Sequence, residues 1–320
     1  MVGAGGARVV GGRRARSRDG RREACRGCPR GAGEYGGSMR VLAFLDGTLA
    51  DPDQPHVRVD DLGLLRGDGI FETVLVADGV PRELGPHLDR LARSAHMLDL
   101  PEPDLSAWER AVRLVIDNWS GGPEIAVKLV YTRGVEGDPY AEPLAYALGM
   151  EIEEKVRRAR AEGVAVVSLD RGFASDLAER APWLLLGAKT LSYGVNMAAL
   201  REAARRGADD VVFTATDGSL LEGPTSSVVV ARGRTLYTSP PTVGILPGTT
   251  QRAVFRAAEA AGWATKVEPV PGEELHTADG VFLASSVRKL TRVHTLDGTP
   301  LPDSTSAHAE LARAYDAQYT

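Results

Sequence analysis

Between Pro86 and Trp119 the apolar positions fall into two runs at helical spacing. In "PHLDRLARSAHMLDL" Leu88, Leu91, Ala95 and Leu98 recur three and four residues apart, behind a proline suited to a first helical turn. "LSAWERAVRLVIDNW" continues in the same manner, so two amphipathic helices are predicted, surrounded by short strand-like runs such as "RVLAFLDGT". This reads as a small N-terminal α/β domain from Arg40 to about Glu153. "EIEEKVRRARAEG" is a charged helix or link. "VAVVSL" then opens a second region where strands and helices alternate, with "TDGS" and "ARGR" marking hairpin turns. The pattern predicts an α+β chain of two domains, 39–153 and a larger 154–320, with no internal repeat.

The stretch "LGAKTLSYGVNMAALREA" sets one lysine, Lys189, before a predicted helix whose Leu191, Val195, Ala198, Ala199 and Glu202 recur at three and four. The preceding "APWLLLGA" is almost wholly apolar, so this ammonium is hard to solvate. Two readings stand: a snorkelling lysine with its stem on apolar surface, or an amine whose pKa is lowered by desolvation and which is available for a Schiff base.

Composition narrows the class. With 320 residues, 43% hydrophobic and 25% charged, and no apolar run long enough to cross a bilayer, the chain reads as a soluble globular protein without a membrane role. The net charge of -5 is uneven, because residues 1–38 carry nine arginines against three carboxylates, leaving eleven net negative charges on the other 282 residues. That Gly/Arg-rich tail is expected to be disordered, and translation is expected to begin at Met39. A nucleic-acid role is set aside, since the tail lacks interleaved aromatics and the acidic body would oppose it. Cys25 and Cys28 form a lone C-x-x-C in the tail, too little for a metal site. No cysteine remains for a structural disulfide, which suits the cytoplasm.

Three stretches could meet one phosphate. "GILPGTTQRAVFRAAEAAGW" runs from a Pro-Gly turn into a helix whose first residues, Thr249 and Thr250, could offer N–H groups and hydroxyls to an anion or simply cap the helix. Arg90 in "HLDRL" is a surface charge or a phosphate fork. "FLASSVRKL" ends an apolar strand in Ser285 and Ser286. A carboxylate joins them: Glu222, on the second arm of the hairpin predicted in "TATDGSLLEGPTSSVVV", is either solvated or, if buried, in need of a cationic or protonated partner.

In chain order, "LLRGDGIFET", "HLDRL", "YTRG", "GAKTLSY", "LLEGPTSSVVV", "LYTSPP", "GILPGTTQ" and "FLASSVRKLTRV" resemble the class IV aminotransferase family. These are pyridoxal-phosphate (PLP) enzymes of fold type IV, among them branched-chain aminotransferases, D-amino acid aminotransferases and 4-amino-4-deoxychorismate lyases. The similarity runs from Met39 to about Leu296. It implies that Lys189 bonds the cofactor's aldehyde, that Glu222 partners the pyridine nitrogen, and that Arg90, the Thr249–Thr250 turn and Ser286 take the phosphate. It further implies that Leu246 lies against the ring face, that Tyr193 stands near the ring hydroxyl, and that the chain is a homodimer acting on a small molecule. Several positions depart from the family. Ser227 and Val229 replace its usual Asn and aromatic, and its "G-I-T-R" reads Gly248, Thr249, Thr250, Gln251. After "TRG" the Arg-x-His that D-amino acid aminotransferases use for the substrate carboxylate is missing, which weakens that reading. "KTLSYGVN" looks closer to aminodeoxychorismate lyases than to branched-chain enzymes, and Arg66, before "GDG", is expected either to hold a substrate carboxylate or to be an exposed loop residue. The lyase reading is therefore preferred, with a transaminase acting on branched-chain or D-amino acids as its rival.

Overall fold

The computed structural model describes residues 39–137 and 142–319. The Arg/Gly-rich tail, its two cysteines and the disorder expected of it lie outside the described residues. The first half contains β1 (Arg40–Phe44), β2 (Leu49–Ala50), α1 (Leu62–Arg66), β3 (Gly69–Ala77), β4 (Val80–Pro81), α2 (Leu84–Met97), α3 (Leu105–Asp117), β5 (Glu124–Thr132), β6 (Ala145–Glu151) and α4 (Glu154–Glu162). Its sheet runs β2-β1-β6-β5-β3-β4, antiparallel at every pairing. The two predicted helices cover one face. Leu88, Leu91 and Ala95 of α2 and Trp108, Ala111, Val112 and Val115 of α3 bury against Ile70, Val74 and Val76 of β3 and Ile125, Val127 and Leu129 of β5. Alternation along β3 therefore turns Glu72, between Ile70 and Val74, toward the helices, where it is fully buried.

The second half contains β7 (Val164–Asp170), α5 (Leu177–Arg180), α6 (Gly194–Arg205), β8 (Asp210–Thr214), β9 (Ser227–Arg232), β10 (Thr235–Thr238), α7 (Thr249–Ala260), β11 (Ala264–Val267), β12 (Gly280–Ser285), β13 (Lys289–Leu296), β14 (Thr299–Pro300) and α8 (Thr305–Asp316). They build a mixed sheet in the order β11-β10-β9-β12-β13-β7-β8, with β14 on β13. Its central strands β9 and β12 are buried on both faces. Val229, Ala231, Phe282 and Ala284 meet α7 and α8, while Val228, Val230, Val281 and Leu283 fill the opposite side.

The edge of β3 is where the halves join. Most of its length lacks a strand neighbour beyond β5, so its polar main-chain groups take partners from the other half. Phe71 N donates to Lys189 O at 3.0 Å, Leu191 N donates to Gly69 O at 2.8 Å, and Leu75 N donates to Ser286 Oγ at 3.0 Å. This pairing corrects the helix expected directly after Lys189. Residues 189–191 are tied to the strand edge, and the helix begins only at Gly194. It buries Ala199 and Ala203, whereas Val195, expected on the packed face, is 62% exposed.

Candidate active site

Lys189 leaves this strand-edge segment with its main-chain N–H donating to Ser94 Oγ at 3.1 Å and its ammonium 4.6 Å from the centre of the Phe71 ring. Among the described residues the ammonium has no hydrogen-bond or ion-pair partner. Burial, then the positive charge of Arg90, pushes its pKa down to about 8, although Glu72 and Glu222 pull it back. A carboxylate faces the opposite problem. Glu222 accepts from Leu246 N at 3.2 Å, and burial pushes its pKa up to about 7 despite that bond and the nearby Lys189 and Arg171. It does not lie in a regular hairpin arm. Phe213 N donates to Glu222 O, but Leu220–Glu222 pairs only locally with the end of β8, because Gly223 and Pro224 turn the chain at once.

The other residues read from the sequence gather around the same place. Tyr193 stacks edge-on against Phe71, 5.3 Å between centres, and donates its hydroxyl to Pro224 O at 2.6 Å. α7 starts at Thr249 after Gly248, which offers no side-chain cap, so the first N–H groups of the helix keep their anion-binding capacity. Thr249 and Thr250 are buried there, and Leu246 and Pro247 lead into them. Arg90 reaches this turn, donating from Nη1 to Pro247 O at 3.0 Å. Its fork is otherwise occupied, with Nε 2.6 Å and Nη2 2.8 Å from the two Glu72 oxygens. Ser286 accepts from Leu75 N of β3, and among the described residues its hydroxyl proton has no hydrogen-bond acceptor. Arg66 sits at the rim, paired with Glu136 at 3.0 Å, both largely exposed.

Beside these groups opens a cleft of about 820 Å³, walled by Arg66, Arg171, Phe173, Trp183, Tyr193 and Glu222 among others. That is the size range of small-molecule sites. Arg171 was not foreseen. It stacks over Phe213 at 4.6 Å and donates to Asn196 Oδ1 at 3.1 Å, while Asn196 Nδ2 shares Pro224 O with Tyr193. Glu72 and His87 were also missed as site residues, although "FET" and "HLDRL" carry them. Their only sequence signal is a charge placed in an apolar strand register and a histidine three residues before an arginine.

A lysine of lowered pKa, a carboxylate that favours a proton and an uncapped helix start beside an arginine together fit an aldehyde-bearing, phosphorylated pyridine. The chain belongs to the amino-transferase class IV family, whose model matches residues 69–296, and it is a PLP-dependent enzyme of fold type IV. It is 45% identical over 285 residues, 86% of this chain and 98% of the other, to a Mycobacterium tuberculosis protein named bifunctional aminodeoxychorismate lyase / D-amino acid transaminase. Among solved structures, the PLP-bound form of a hypothetical aminotransferase from Mycobacterium tuberculosis is 44% identical, with a TM-score of 0.84 over 88% of this chain and all of that one. A fold IV transaminase from Curtobacterium pusillum is 43% identical, with a TM-score of 0.82 over 86% of this chain and 98% of that one.

Proposed function

We propose that the chain is an aminodeoxychorismate lyase, converting 4-amino-4-deoxychorismate to 4-aminobenzoate and pyruvate. The observation that carries this reading is the 45% identity, over nearly the whole length, to a relative named for that activity. PLP, when bound, supplies an aldehyde for the substrate amine and a ring that accepts electrons from the adjoining carbon. On this reading Lys189 is the group that first holds the aldehyde and then, as a free amine, takes the proton from the substrate carbon bearing nitrogen. Glu222 keeps the ring nitrogen protonated. Arg90, the Thr249–Thr250 turn and Ser286 hold the phosphate, Leu246 lies against the ring and Tyr193 stands by its hydroxyl. Arg66 takes a substrate carboxylate, its solvent-exposed partner Glu136 being readily exchanged. Removing the proton lets the enolpyruvyl oxygen leave with the bonding electrons. Because the remaining ring becomes aromatic, no amino acceptor is needed.

A second activity, D-amino acid transamination in the same cleft, is favoured by the second half of that relative's name. With no Arg-x-His after "TRG", the small carboxylate would fall to an arginine of the cleft wall. The cleft is read as lying between domains 39–153 and 154–320, in a homodimer. Among the described residues no helix is long and apolar enough to cross a membrane, and a cytoplasmic location is proposed with it. Purified protein given aminodeoxychorismate should release 4-aminobenzoate. Given D- or L-amino acids with 2-oxoglutarate, it should form glutamate chiefly from the D series. Glutamate formation with no 4-aminobenzoate would overturn the lyase reading.

A further inference from the structure

The family's isoleucine before the phosphate threonine is Thr249 in this chain, and the structure gives that hydroxyl a partner. Four polar side chains lie together in an otherwise apolar setting: Glu72 is 0% exposed, His87 1%, Thr249 2% and Arg90 4%. They form a chain of contacts. Glu72 Oε2 lies 2.7 Å from His87 Nδ1, and His87 Nε2 lies 3.2 Å from Thr249 Oγ1, so β3, α2 and the first residue of α7 are joined through side chains.

The donors and acceptors on this chain can be assigned. Burial alone would raise the Glu72 carboxyl, but the charge of Arg90 and the hydrogen bonds from Arg90 and His87 outweigh it, so Glu72 is ionised and can only accept. His87 Nδ1 must then carry the proton. The imidazole itself is neutral at pH 7, because burial pushes its pKa down and the neighbouring cations Arg90 and Lys189 add to that, while Glu72 alone opposes it. A neutral ring protonated on Nδ1 has a lone pair on Nε2, and the Thr249 hydroxyl must donate to it.

We propose that Glu72 and His87 are positioning residues that bind the Thr249 hydroxyl proton, docking the start of α7 onto α2 and leaving that hydroxyl unable to donate to an anion. The anion is then met by the main-chain N–H groups of the turn, by the Arg90 N–H bonds not given to Glu72 or Pro247 and by the Thr250 hydroxyl, which has no hydrogen-bond partner among the described residues. On this proposal only one of the two threonine hydroxyls, that of Thr250, serves the anion. Identifying the anion as the cofactor phosphate rests on the function proposed above, whereas the proton arrangement does not.

The test uses the full chain labelled with ¹⁵N-histidine, before and after adding PLP. In the cofactor-free protein the His87 ring should show a protonated Nδ1 and a bare Nε2, with no titration between pH 6 and 8. The His87 signals are identified by their absence from His87→Gln or, if that variant does not fold, from His87→Asn. Thr249→Val should move the Nε2 resonance toward that of a free lone pair and raise the Kd for PLP about five- to tenfold, and Thr249→Ser should restore both. A proton on Nε2, titration with an ordinary histidine midpoint, or an Nε2 resonance unmoved by Thr249→Val would each overturn the assignment. Failure of the unmodified protein to bind PLP would instead overturn the cofactor reading, leaving the proton arrangement to stand on the cofactor-free spectra.

Discussion

Burial of its ammonium decides what Lys189 can do. With the pKa at about 8, about a quarter of the amine is free at pH 7.5, against about a thousandth for a lysine at its ordinary 10.5. The rate at which cofactor-free protein captures PLP should therefore rise with a midpoint near pH 8 and level off by pH 9, and Lys189→Ala should abolish the covalent absorbance band while phosphate contacts keep some PLP bound. A midpoint near 10 would show that the lysine is solvated. Glu222 works in the opposite sense. Its carboxyl is raised from 4.5 to about 7, so the stability it contributes to the cofactor-free fold is present below pH 4.5 and lost as pH rises through 7. Cofactor-free Glu222→Gln should therefore melt higher than the unmodified chain above pH 7. The same change should slow proton abstraction in the loaded enzyme by about a hundredfold, corresponding to a few kcal/mol of lost ring stabilisation. Both residues were legible in the sequence because each is a lone charge in an apolar run. Arg171, in the loop after β7, was not, because what gives it meaning is a distant partner, Asn196 of α6.

Elements were legible wherever their periodicity reports one buried face. The helices α2 and α3 follow from their leucine and alanine spacing. The mixed sheet does not, since strands buried on both faces carry no alternation and the parallel pairings of β7 with β8 and β13 join segments far apart in sequence. The same holds for the ties between elements. Glu124, at the start of β5, is half-buried and receives Arg160 from α4 at 2.6 Å and Lys289 from β13 at 3.4 Å, and Lys289 also reaches Asp316 at the end of α8. Burial alone would raise Glu124, but Arg160 and Lys289 hold its pKa below the ordinary value. The stability it contributes is thus present above the unfolded pKa and is lost as pH falls through the lowered one. Glu124→Gln leaves Arg160 without its charge partner and Lys289 with Asp316 alone, and after solvent screening should cost about 1 kcal/mol, a drop of a few degrees in Tm at pH 7 that shrinks toward pH 3. A Tm equal to that of the unmodified chain at pH 7 would mean the cluster is only a solvated surface network.

At the scale of the molecule, the cleft is bordered by apolar side chains that its own chain leaves uncovered. Trp183 is 74% exposed and Leu184 49%, both on the cleft wall, while Leu65 at 61% adjoins Arg66 and Val195 at 62% adjoins Asn196, two more residues of that wall. Scattered single apolar residues need no explanation, whereas several around one mouth are what an interaction surface presents. A second copy of the chain, in the homodimer proposed above, would cover them. The homodimer is what the family resemblance implies, but the apolar pattern does not single out these residues, because Val195 falls in a helical spacing that reads equally well as core. Light scattering at micromolar concentration should give twice the 34.0 kDa of one chain. Replacing Leu65 and Val195 together by glutamate should shift the mass toward one chain and raise KM more than it lowers kcat, with the far-ultraviolet spectrum unchanged. A monomer mass for the unmodified protein with its activity intact would show that each cleft is complete on its own and that the exposed rim serves some other contact.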